Sequence, residues 1–145
     1  RMKVEKGIFS ILKIFDYINI DAHLSIVGKE LNNNTNNKKI SYIGYGYNAD
    51  DLMKIYDKHN ILILPSFTEA HPKVIDESLS RMRPVIIFEE IQHVIQHRKG
   101  IFVSKRNAQS LLETIEFIMK NYEKIQKSMS ENKLPTKKEF IFQMI

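Results

Sequence analysis

Residues 61–79 read Ile61-Leu62-Ile63-Leu64-Pro65-Ser66-Phe67-Thr68-Glu69-Ala70-His71-Pro72-Lys73-Val74-Ile75-Asp76-Glu77-Ser78-Leu79. The aliphatic run, which stops at Pro65, has the pattern of a strand covered on both faces of a parallel sheet, and its expected span is 60–64. A helix is expected from about Pro72 to Met82, because proline is favoured near a first helical turn. Strand, polar loop and helix in this order make half of a βαβ unit.

The same alternation extends outward. Ile8, Ile11, Leu12, Phe15 and Ile18 recur at helical spacing, so an amphipathic helix is expected over 5–19. Strands are expected over 23–27, 40–43, 85–88 and 101–103. Asn48 is placed to cap a helix running to about His59, with Asp50 and Asp51 in its first turn, where acidic groups favour the helix dipole. Asn107 is placed to cap another, whose apolar positions are Leu111, Leu112, Ile115, Ile118 and Met119. The stretch Asn32–Asn37 is a polar loop without an apolar anchor. Strands alternating with helices of this length imply a three-layer, Rossmann-like α/β domain with a parallel sheet. No internal repeat or boundary divides the chain, so residues 1–145 read as one domain with a helical tail from about 121 to 145.

Composition narrows the chemistry. The chain has 145 residues, 43% of them hydrophobic, enough for one real core. No apolar run approaches the ~20 residues of a membrane helix. Without cysteine, disulfides, thiolate nucleophiles and cysteine-ligated metals are excluded. The net charge of +5 fits a solvated lysine-rich surface, an anionic ligand or an anionic membrane face. No basic run carries interleaved aromatics, so nucleic acid is not an expected partner. Neither a Walker loop nor a dinucleotide fingerprint is present, and serine-histidine-aspartate catalysis has no local signature. His93 and His97 could share a helix face, but with no third ligand in view a surface helix is the plainer reading.

Ligands of parallel α/β sheets bind beyond the carboxyl ends of the strands, which directs attention to the turns after Gly28, Gly44, Leu64 and Phe88. Glu69 lies in such a turn and Glu77 in the following helix, so both can face one crevice. The helix start at Lys73 and Val74 offers backbone N–H groups and a positive dipole end, suited to phosphate. A carboxylate can accept hydrogen bonds from two vicinal hydroxyls, each worth about 1.5–3 kcal/mol. Phosphate plus sugar hydroxyls is the ligand chemistry this fits. The spacing alone fits equally well with two solvated glutamates near a helix start.

The ordered set of residues resembles glycosyltransferase family 4, also called glycosyl transferases group 1. Its signature of Pro-Ser, a glutamate, seven residues, a second glutamate and then Pro-Val corresponds to Pro65-Ser66, Glu69, Glu77 and Pro84-Val85. Arg1 and Glu5-Lys6-Gly7 resemble the family's Gly-Arg and Lys-Gly segment. Ile26-Val27-Gly28, Ile43-Gly44 and Gly100-Ile101-Phe102-Val103 resemble its strand ends. The match covers residue 1 to about 120.

The resemblance implies the C-terminal, donor-binding half of a GT-B-fold enzyme, with the family's first strand and its N-terminal acceptor-binding domain missing from this chain. It implies a nucleotide-diphosphate-sugar donor, retaining transfer to a hydroxyl acceptor, and no cofactor or metal. Arg1 and Lys6 would hold the donor diphosphate, and Glu69 would contact the sugar near its reacting face. Glu77 would hold the ribose. Gly44 and Tyr45 would border the base, and Ser66, Lys73 and Val74 would border sugar and phosphate. A glycan or lipid-linked acceptor is the family default, in polysaccharide or lipopolysaccharide-type synthesis. Such an enzyme is expected in the cytoplasm, with peripheral contact at the inner face of the membrane, and this fragment is expected to be inactive alone.

Three departures stand out. Ala70-His71-Pro72 replaces a small-aromatic-glycine sequence, and proline removes one N–H donor. Arg83 replaces a glycine before Pro84-Val85, where a left-handed residue is expected. Glu89-Glu90 replaces a glycine pair and would repel a diphosphate unless turned away. The alternative function is therefore a nucleotide-binding α/β module that has lost catalysis.

Overall fold

The structure is a computed structural model and describes residues 4–28, 37–44 and 46–135. A 3-10 turn, Val4–Lys6, leads into α1 (Ile8–Asp16). There follow β1 (Leu24–Val27), β2 (Ile40–Ile43), α2 (Ala49–Asp57), β3 (Leu62–Leu64) and α3 (Lys73–Ser80). The chain continues through β4 (Val85–Phe88), a 3-10 segment Glu89–Ile95, β5 (Ile101–Ser104), α4 (Ala108–Lys120) and α5 (Tyr122–Met129). All pairings among these strands are parallel.

The strands form two sheets, β1-β2 and β3-β4-β5. β1 and β3 share no ladder among the described residues. A doubly wound order with one further strand would place it between these two.

Burial follows strand position. Val85, Ile86, Ile87 and Phe88 of β4 are all 0% exposed, with β3 and β5 on either side and helices above and below. Fully burying each such side chain is worth roughly 1.5–3 kcal/mol. β3 had been expected to be the strand covered on both faces, yet Leu62–Leu64 are only part-buried. β3 is an edge of its three-stranded sheet, so among the described residues no strand pairs with its other side. Ile11, Ile14 and Phe15 of α1, Ile75 and Leu79 of α3, and Leu111, Ile115 and Ile118 of α4 complete the core. Met119, expected on the apolar face of α4, is instead exposed.

Both expected asparagine caps form. Asn48 accepts from the Asp51 amide at 2.9 Å, and Asn107 from the Ser110 amide at 2.9 Å. The helix expected over 5–19 is instead broken at Gly7, whose φ is +68°. A Cβ there would lie 1.8 Å from the Pro65 carbonyl oxygen. Gly7 therefore lets the N-terminal segment touch the loop after β3, and the amide of Phe67 donates to the Glu5 carbonyl at 2.8 Å.

The left-handed residue before β4 is Met82 (φ +56°), one position earlier than expected. Arg83 is thereby freed for another role. Its guanidinium donates to the carbonyls of Tyr56 at 3.2 Å and Asp57 at 3.0 Å, covering the C-terminus of α2. Arg81 pairs with Asp57 at 2.5 Å. Together they hold α2 against the end of α3. Of the segment from about 121 to 145, the described part holds α5 at Tyr122–Met129, whereas Phe140-Ile141-Phe142 lies outside the described residues.

Candidate active site

The loop between β3 and α3 carries the first cluster. Ser66 is fully buried, and its hydroxyl donates to Glu69 Oε1 at 2.7 Å. Lys6 Nζ donates to the same oxygen at 2.5 Å, from the 3-10 turn that Gly7 brings alongside. The Glu69 side chain is 13% exposed and that of Lys6 49%. Burial pushes the Glu69 carboxyl up, but the Lys6 ammonium and Ser66 hydroxyl outweigh it and hold the group below its ordinary value. The carboxylate is thus ionised, oriented and only partly covered.

His93 supports the loop from the other side. Its Nε2 lies 2.8 Å from the Glu69 carbonyl oxygen, so that nitrogen carries the proton and donates. His93 sits in the 3-10 segment after β4 rather than on a regular surface helix. No group of three or more His, Asp or Glu residues able to hold a metal occurs among the described residues.

The second cluster lies along α3. Pro72 is the residue before the helix and makes no side-chain cap hydrogen bond, and Lys73 and Val74 form the first turn. Glu77, farther along, accepts a hydrogen bond from the Tyr56 hydroxyl on α2 at 3.0 Å. Burial, then the charge and hydrogen bond of Glu77, push the Tyr56 hydroxyl well above its ordinary value, so it stays a donor.

Sequence reasoning thus placed Lys6, Ser66 and Glu69 in one site, and the structure brings them together. Glu77 faces Tyr56, a partner the sequence had not indicated. Gly44 is exposed just after β2. Arg1 and Tyr45 lie outside the described residues.

Arg106 was missed as well. It sits in the loop after β5, at the same carboxyl side of the sheet. Its guanidinium lies 3.9 Å over the Phe67 ring and 4.3 Å over the Phe88 ring. It donates to Glu90 at 2.8 and 3.1 Å, to the carbonyls of Pro65 at 2.9 Å and Ser66 at 3.2 Å, and to the Ser10 hydroxyl at 2.9 Å. The Arg106 fork outweighs desolvation and holds the Glu90 carboxyl below its usual range. The repulsion expected from Glu90 is therefore compensated locally by a bidentate cation.

A parallel α/β domain whose loops gather a lysine, a serine and a glutamate beyond the strand ends has the architecture of the C-terminal half of a GT-B glycosyltransferase. HepE from Anabaena, solved in complex with UDP and glucose, superposes with a TM-score of 0.70 at 15% identity over 91% of this chain and 40% of that one. The same protein in complex with UDP-glucose gives 0.70, 15%, 91% and 40%. Sucrose-phosphate synthase from Thermosynechococcus elongatus gives 0.69 at 16% identity over 89% of this chain and 36% of that one. The chain thus spans well under half the length of these structures. No curated protein sequence matches it. The model of the family Glycosyl transferases group 1 matches residues 1–134, and the chain belongs to that family.

Proposed function

We propose that this chain is the donor-binding half of a glycosyltransferase that takes a nucleotide-diphosphate sugar and transfers the sugar, with retention, to a hydroxyl on a glycan or lipid-linked acceptor. The observation that carries the reading is the Lys6–Glu69–Ser66 cluster beyond β3, directly preceding the start of α3. A cation beside an oriented carboxylate suits a ligand with an anionic diphosphate and a polyhydroxylated sugar. HepE, which shares the fold, was solved with UDP and with UDP-glucose, and these make the first donors to test.

Lys6 and Arg1 neutralise the diphosphate as the bond to the anomeric carbon breaks and charge collects on the leaving oxygen. Backbone amides at Lys73 and Val74 assist from the helix start. Glu69 faces the sugar, Glu77 takes the ribose hydroxyls, and Gly44 and Tyr45 border the base. The acceptor oxygen forms the new bond to the anomeric carbon on the face the diphosphate leaves, and its proton passes to the departing diphosphate oxygen, in a cleft shared with an acceptor-binding domain. The chemistry asked of these side chains is electrostatic and needs no metal. The enzyme works in the cytoplasm on polysaccharide or lipopolysaccharide-type glycans, with peripheral contact at the membrane face. No helix among the described residues is long and apolar enough to cross a membrane.

Calorimetry and product analysis of the full-length protein with UDP-glucose and a panel of other donors test this. Binding accompanied by transfer or slow donor hydrolysis is expected. Binding without either would favour the inactive nucleotide-binding module, to which Pro72 lends support by removing one amide donor. No binding of any nucleotide sugar would contradict both.

A further inference from the structure

Arg106 is engaged far more extensively than a surface cation at a helix start requires. Its side chain is 14% exposed. It touches segments remote in sequence: Ser10 on α1, Pro65 and Ser66 after β3, and Glu90 after β4. It stacks on two rings, Phe67 from the donor loop and Phe88 from the end of β4. A guanidinium is suited to this, because it offers five N–H donors in a fixed plane and stacks on aromatic faces.

These contacts converge on one place. The two carbonyls that Arg106 binds belong to the residues leading into Glu69. One of them, Ser66, passes the constraint on, since its hydroxyl donates to the Glu69 carboxylate at 2.7 Å. Glu90 supplies the counter-charge that makes a buried guanidinium tolerable at this position. Glu69 itself does not touch Arg106 in any described contact.

We propose that Arg106, locked by Glu90 and stacked on Phe67 and Phe88, is the positioning residue of the donor loop, setting Ser66 and through it Glu69 in place for the donor sugar. This rests on the reading of Glu69 as a donor contact. Arg106 reaches neither Glu77 nor Tyr56 in any described contact, so the nucleoside end of the site should not depend on it.

The test compares wild type and Arg106→Ala in the full-length protein. Loss of the anchor should lower kcat for transfer roughly 10- to 100-fold, the scale on which a displacement of about an ångström at a reacting group is felt. The Kd for free UDP should stay within about twofold, a margin of roughly 0.4 kcal/mol. Amide hydrogen exchange over residues 66–70 should quicken, a readout that needs no turnover. If Arg106→Ala does not fold, Glu90→Gln removes the locking partner and should show the same pattern at smaller amplitude. Unchanged exchange in the loop, or a loss of UDP affinity matching the loss of kcat, would overturn the positioning role. Wild-type protein that binds no nucleotide or nucleotide sugar would instead sink the donor reading on which the role rests, and that failure is visible before any variant is made.

Discussion

Glu69 and Glu77 stand on the same loop-helix unit with seven residues between them, yet their surroundings differ in kind. Glu69 is held by a cation and a buried hydroxyl, at 2.5 and 2.7 Å, in a loop tied to three other segments through Arg106, His93 and the Glu5 carbonyl. Glu77 is oriented instead by a buried tyrosine hydroxyl from α2, at 3.0 Å. A carboxylate beside a half-exposed, paired ammonium fits the end of a ligand where charge changes during reaction. A carboxylate steered by a neutral, fixed donor fits hydroxyls that must be recognised but do not react. On the proposed reading, the two glutamates would divide the donor between a reacting end and a recognition end.

The largest effect is expected from Lys6→Ala. Removing a preorganised electrostatic partner should lower kcat by roughly 10²- to 10³-fold and weaken donor binding as well. A change in KM alone would show uniform binding and remove Lys6 from the reacting end. The pH profile sharpens the point. In the wild type Glu69 titrates below its ordinary value, held there against burial by Lys6 and Ser66. Without Lys6 its pKa rises, so the acidic limb of the rate profile should move to higher pH. The sign for stability follows from the same shift. A depressed carboxylate stabilises the fold above its unfolded pKa, and that contribution is lost as pH falls through the lowered value. Lys6→Ala should therefore flatten the acid dependence of the melting temperature.

Glu77→Gln comes next. It should weaken binding of free UDP roughly 10- to 100-fold, equivalent to about 1.5–3 kcal/mol, with kcat at saturating donor little changed. Unchanged affinity by calorimetry would remove Glu77 from the recognition end.

Tyr56→Phe should be the mildest. It deletes one donor to Glu77 and leaves the carboxylate, so UDP affinity should fall by only a few-fold, about 0.5–1.5 kcal/mol. Because burial and Glu77 push the Tyr56 hydroxyl well up, wild-type UDP affinity should show no break from this tyrosine through mildly alkaline pH. A loss as large as that of Glu77→Gln would mean Tyr56 touches the ligand itself.

Much of this was legible in the sequence where the signal is local. β2 and β4 fall where their apolar runs lie, and Asn48 and Asn107 cap as their position before acidic or apolar turns suggests. Lys6, Ser66 and Glu69 were expected near one another from the family resemblance, Lys6 through the Lys-Gly segment and the other two through the Pro-Ser and glutamate motif, and their side chains do meet. What escaped depends on contacts distant in the chain. Nothing in Lys105-Arg106-Asn107 distinguishes a solvated arginine at a helix start from one that bonds Ser10, 96 residues away. The break at Gly7 answers to the Pro65 carbonyl, a contact distant in the chain that the apolar pattern beginning at Ile8 does not report. Burial of β3 was misjudged because an aliphatic run states what a strand can bury, while strand order decides how much it does. Arg83 departs from the expected glycine and does not itself carry the left-handed turn, because Met82 takes that conformation and Arg83 caps α2.

The division between the two glutamates is tested most directly by measuring Kd for UDP and for UDP-glucose, on the full-length protein, in wild type, Glu69→Gln and Glu77→Gln. Glu77→Gln should weaken both ligands by the same factor, because both carry the ribose. Glu69→Gln should weaken UDP-glucose by roughly tenfold, about one charge-assisted hydrogen bond, and leave UDP unchanged. Equal losses for the two ligands in Glu69→Gln, or a loss confined to UDP-glucose in Glu77→Gln, would contradict the division.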